Sequence, residues 1–183
     1  WYRGRFGLLF NGQWSVVKVN DNLSGTPLES DLKMNMGLFE LAAAYSFGQR
    51  PFRASGGGPT WEIQPLVGAR VTVMRLELDF ENFPDRDKTQ VWADPILGAR
   101  LRLRPSEESR WSWTMRGDFG GFGAGSDFTW NALGFLGYDF HLLGVRSTAL
   151  LGARALYQDF DDRPGFGWDV TQYGPLLGLM LSF

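Results

Sequence analysis

Apolar and polar residues alternate almost one by one through most of this 183-residue chain. That period dictates β-strands, whose successive side chains point to opposite faces. The last eleven residues display it fully. Tyr173, Pro175, Leu177, Leu179, Leu181 and Phe183 fall on one face, and Gly174, Leu176, Gly178, Met180 and Ser182 on the other. The first face is continuously apolar and the second mostly small. No 3.6-residue period separates the strand-like segments, which argues against βαβ folds.

Seven earlier segments carry the same pattern. Residues 4–19 set Phe6, Leu8, Phe10, Trp14 and Val16 against Arg5, Asn11, Gln13 and Ser15. Residues 31–47 set Phe39, Leu41, Ala43, Tyr45 and Phe47 against Glu40, Ala42, Ala44 and Ser46, but Leu32, Met34 and Met36 have the opposite parity. A bulge, or a start outside any membrane, would account for that switch. Further strands are expected at about 61–80, 90–104, 110–119, 128–140 and 145–160. The joints are polar or rich in Gly and Pro: 20–30, 48–59, the charged run 81–88, 105–109, 120–126, 141–144 and 161–167. Eight successive antiparallel strands predict one domain over 1–183, an all-β, up-and-down barrel.

Composition limits the function classes. The chain has no cysteine, which removes disulfides and thiol chemistry, and its net charge of −2 gives no basic field for nucleic acid. Eight Trp among many aromatics, with 24 Gly, suit strands and tight turns. No apolar run approaches the roughly 18 residues of a membrane helix, but a membrane barrel hides its apolar content in alternation. The opening Trp1-Tyr2-Arg3, without Met or a signal-peptide pattern, reads as a mature or trimmed segment.

The direction of the two faces separates a soluble barrel from a membrane barrel. In a soluble barrel the aromatic and aliphatic face would be core. Here that face is too bulky for one eight-strand lumen. The other face carries Glu40, Arg70, Arg100, Arg102, Arg116, Asp118 and Arg154. We therefore expect a transmembrane barrel with a filled polar interior, those seven residues forming its network. Trp61, Trp92, Trp111, Trp130, Tyr138, Trp168 and Tyr173 are expected at the two rims, as aromatic girdles. Three near copies, Val67-Gly-Ala-Arg70, Leu97-Gly-Ala-Arg100 and Leu151-Gly-Ala-Arg154, put Gly and Arg on the inner face. A soluble ligand-binding barrel and a narrow, porin-like, Arg-lined path for small anions stay open as alternatives.

Candidate chemistry is sparse. Gly117–Ala132 is glycine-rich but lacks Gly-Lys-Ser/Thr and a following helix, so it reads as strand–turn–strand. His141, the single histidine, sits at an expected turn. Asp159, Asp161 and Asp162 lack the spacing of a calcium loop. No catalytic, cofactor or metal residue is expected.

The Gly-rich stretch, Trp92-Ala-Asp-Pro95 and the ending Asp169–Gly178 together resemble a widespread family of uncharacterised bacterial outer-membrane barrels, similar in architecture to OmpA/OmpX-type eight-stranded barrels. The ending with Tyr173, Leu179, Leu181 and Phe183 resembles their C-terminal signature. The resemblance implies a Gram-negative outer-membrane location and a closing strand read by the barrel-assembly machinery. Lipid or lipopolysaccharide, and other envelope proteins, are the implied partners. It also implies an additional N-terminal strand region that these residues lack. With periplasmic termini, 105–109 and 141–144 become periplasmic turns, and the closing strand is expected to pair with 4–19.

Overall fold

Alternating inner and outer residues carry the backbone through eight long strands and two short ones. The structure, a computed structural model, describes residues 2–3, 5–21, 30–51, 58–80, 83–106, 108–162 and 165–182; at 2–3, 17–21, 30–33, 77–80, 83–88, 162 and 181–182 it describes the backbone alone. The strands are β1 (Tyr2–Arg3), β2 (Phe6–Asp21), β3 (Ser30–Tyr45), β4 (Arg50–Pro51), β5 (Thr60–Phe80), β6 (Phe83–Arg104), β7 (Trp111–Gly121), β8 (Phe128–Leu142), β9 (Val145–Asp162) and β10 (Phe166–Ser182). All pair antiparallel in one curled sheet, ordered β1-β2-β3-β5-β6-β7-β8-β9-β10, with β4 on β5.

Two segments differ from the sequence expectation. The charged run at 81–88 is mostly strand: Lys88, Asp87 and Arg86 pair with Leu76, Glu77 and Leu78. Backbone bonding to β5 overrides the weak strand preference of charged residues. The expected loop at 161–167 is shorter: β9 runs to Asp162 and the final strand begins at Phe166, because Phe166 and Gly167 pair with Asp162 and Asp161. The expected polar loop at 20–30 falls largely on 22–29, outside the described residues.

The parity switch in β3 has another cause than a bulge. Register with β2 and β5 is unbroken from Ser30 to Ala44. Met36 and Leu38 point inward beside Met74, Trp92 and Leu156. The lumen itself changes along its axis, from charged to apolar. Trp92 is therefore buried in the interior, and Trp168 packs against the same inner cluster rather than at a rim.

The repeated Gly-Ala-Arg segments share a geometric role. A Cβ on Gly68, Gly98 or Gly152 would collide with the carbonyl oxygen of Leu41, Gly117 or Gly134 on the adjoining strand. Glycine is what permits that backbone approach where the sheet curls. The arginine two residues later shares the inner face and reaches into the lumen.

Pairing stops at the two ends of the sheet. Among the described residues no backbone bond joins β10 to β2. Closure by pairing with residues 4–19 is not what the sheet does. At one end of β2, β1 already takes the free edge, through Tyr2↔Gly7 and Arg3↔Phe6. A seam runs between β2 and β10, and the curl is held by side chains that cross the lumen.

Candidate functional site

The inner face of the sheet converges on a buried ion cluster. Glu40 on β3 accepts from Arg70 Nε at 2.8 Å, Arg154 Nη2 at 2.7 Å and Arg116 Nη1 at 3.2 Å. Asp118 on β7 accepts from Arg70 Nη2 at 2.5 Å and from Asn131 Nδ2 at 2.8 Å. Arg116 Nη2 lies 2.9 Å from Asp118, a charge contact whose direction is not that of a hydrogen bond. Arg70 is 0% exposed and Glu40 2%. Three guanidiniums thus share two carboxylates where water is excluded. Such charges are costly unless each is matched.

Neutral polar residues complete the matching. Arg154 Nε donates to Asn131 Oδ1 at 2.7 Å and its Nη1 to Gln13 Oε1 at 3.1 Å. Arg70 Nη1 donates to Thr129 Oγ1 at 3.1 Å, and Asn11 donates to Glu40 at 3.3 Å. Gln158 on β9 donates to Thr72 on β5 at 2.9 Å. Charge alone does not pick out Gln13, Thr129, Asn131 and Gln158. Their position on the arginine-bearing face is the signal that identifies them.

Not every expected member joins the cluster. Arg100 is held by Gln64, through Nε at 2.8 Å and through Nη2. Arg102 makes no hydrogen bond or ion pair among the described residues. Toward the 105–110 and 143–144 turns, Arg104 pairs with Asp139 at 2.9 Å, and Thr148 donates to Asp139 at 2.7 Å. This end is open: a cavity of about 620 Å³ is bordered by Arg102, Arg104, Asp139 and Arg146. At the other end, Met36, Leu38, Met74, Trp92 and Leu156 form an apolar layer, with Trp92 stacked on Phe160 at 4.4 Å.

The Gly-rich stretch makes a return over the side of the sheet. Gly123 N donates to Ser126 O, and Ala124 N to Gly121 O. The backbone N–H and hydroxyl of Ser126 donate to the Asp94 carboxylate at 2.6 and 3.0 Å. Asp94 is fully buried. The loop's donors are thus spent on the chain's own carboxylate.

His141 is exposed near the end of β8, opposite Arg146. Among the described residues no three of His, Cys, Asp and Glu gather as a metal site. Tyr173 and Leu179 are exposed on the outer face of β10. Leu181 is paired with Ser147, and its side chain lies outside the described residues, as does Phe183.

The outer face is the reverse of the inner one. Phe10, Trp14, Leu41, Val67, Leu151 and Leu177 are exposed on it, Leu177 at 85%. Aromatic pairs lie toward both ends: Phe6–Tyr45 and Trp111–Tyr138 at one, Trp130–Tyr157 and Phe119–Phe122 at the other. Comparison of the chain with protein-family models, curated proteins and solved structures returns no match.

Proposed function

We propose that this chain is an integral β-barrel of the bacterial outer membrane, with a structural or partner-docking role and no reaction of its own. The observation that carries the reading is inversion. Arginines and carboxylates are buried, whereas leucines and aromatics lie exposed around the outside. Water penalises such an outer face, and contiguous exposed apolar surface marks an interaction or membrane site. Hydrocarbon favours it, and the aromatic pairs toward both ends fit interfacial girdles. Trp111 and Phe119, eight residues apart, span about 27 Å along their strand, or about 20 Å of height at the roughly 35–45° tilt of such strands, which fits within an apolar band about 25 Å tall.

The long β5–β6 hairpin supports the docking part. Its strands have 21 and 22 residues, about twice the 9–11 that cross the bilayer. The excess projects beyond the membrane, on the side opposite the short turns. In this reading the short turns and the termini are periplasmic.

Flotation with phosphatidylcholine vesicles and heat-modifiable gel mobility test the reading. The expected result is co-flotation after a urea wash and a faster band before boiling. A chain that stays in the soluble fraction without detergent sinks the proposal and favours the soluble barrel. A through-path for anions meets the ion cluster and the apolar layer in series. Planar-bilayer recordings are expected to stay silent. Steady anion-selective steps, lost in an Arg100→Gln/Arg154→Gln variant, would reinstate the channel.

A further inference from the structure

The seam leads into an unfilled part of the lumen. A cavity of about 370 Å³ lies between β2 and β10, bordered by Arg100, Arg102, Arg116 and Arg154 and by Leu133, Phe135, Leu150, Leu176 and Met180. Phe10 and Gly12, outer-face residues of β2, also border it, so it reaches the outer surface. Arg102, Thr114, Leu150 and Met180 border the wider basic cavity too, and the two spaces adjoin.

Two cations there have unused capacity. Arg116 is 9% exposed; its Nη2 lies against the Asp118 carboxylate, but its Nε makes no hydrogen bond among the described residues. Buried donors of this kind are rare without a partner. Arg102 has neither hydrogen bond nor ion pair among the described residues. Backbone groups on the facing edges of β2 and β10 are unpaired with each other as well, and hydrocarbon cannot satisfy such groups.

We propose that this seam cavity binds a single-chain anionic amphiphile that enters sideways from the bilayer. The carboxylate or phosphate head sits between Arg102 and Arg116. The acyl chain lies along Leu150, Leu176 and Met180 and leaves past Phe10. A lining that combines arginines with aliphatic side chains suits neither a free inorganic anion nor a neutral lipid. The inference rests on the membrane reading above.

Photo-crosslinking tests it. The full chain in phosphatidylcholine vesicles is exposed to dodecanoic acid with a mid-chain diazirine, and adducts are mapped by peptide mass spectrometry. Adducts are expected on inner-face Leu150, Leu176 or Met180. Arg102→Gln removes one charge-assisted contact and is expected to cut their yield about tenfold. Met180→Trp, which fills the cavity, is expected to do the same if Arg102→Gln does not fold, judged by heat-modifiable mobility. Unlabelled dodecanoate and lysophosphatidate are the competitors, and the more effective one identifies the head. Adducts confined to the outer face, equal labelling by a dodecanol probe, equal competition by inorganic phosphate, or undiminished yield in folded variants would each overturn the inference. If the chain floats with vesicles but labels only outside, the membrane reading survives. If it does not float, both fall.

Discussion

Glu40 is the residue on which the interior depends most. Three arginines from three strands converge on its two oxygens. Removing one partner of a buried ion pair leaves unmatched charge and costs about 3–5 kcal/mol. Glu40→Gln is therefore expected to lower stability by that order, measured as the urea midpoint of the chain folded in detergent or vesicles. A smaller cost at Arg104→Gln, whose pair with Asp139 is partly exposed, provides the internal comparison. Leu143 has the opposite sign. It is almost fully exposed in the two-residue turn between β8 and β9, with φ of 51°. With Gly144 also at positive φ, this is a type I′ hairpin turn, which favours Asn-Gly. Leu143→Asn is expected to stabilise the fold by about 1 kcal/mol in the same titration, since a left-handed conformation costs most residues about that much.

The strands show which parts of the fold the sequence makes legible. Side-chain period two locates all eight long strands, because each has one face buried and one exposed. Boundaries are harder. Lys88, Asp87 and Arg86 read as loop because the benefit of pairing with β5 is set by a partner remote in sequence. Met34 and Met36 read as a bulge or a start outside the membrane because alternation alone does not show a lumen that changes along its axis. Its apolar end is visible only once Met74, Trp92 and Leu156 are brought beside them. The cluster was half legible in the same sense. Inner-face parity picks out the arginines, but which of them meet Glu40 depends on the stagger of the sheet. The glycine repeats carry an element-level prediction. Gly152→Ala drives a methyl into the carbonyl of Gly134, and the forced shift is expected to cost about 1–3 kcal/mol. Gly134→Ala, where a Cβ meets open space, is the matched control. Equal urea midpoints for the two would remove close backbone approach as the repeat's function.

At the scale of the molecule, inversion of the two faces gives a directional test. Leu151 is exposed on the outer face, midway along β9. In the membrane reading Leu151→Arg is expected to cost about 2–4 kcal/mol, the range for a cation on the lipid face near the midplane. In a soluble fold the same change on an exposed residue would be nearly neutral. Unfolding titrations in vesicles separate the two. Tyr173 and Leu179 face outward on the same wall. Tyr173→Ser is expected to reduce assembled protein in cells without reducing synthesis.

The ion cluster also ties the late strands of the chain to the early ones. Arg154 and Glu40 are 114 residues apart in sequence, and Arg116 and Glu40 are 76 apart. No partial product containing only the early strands can neutralise Glu40 with both. The first six long strands already set two guanidiniums, Arg70 and Arg116, against two carboxylates, Glu40 and Asp118, and β9 adds the third guanidinium. What a chain lacking β9 loses is the cross-sheet tie: Arg154 reaches Glu40, Asn131 and Gln13 on three other strands, so the last strands are fastened to the first by one side chain.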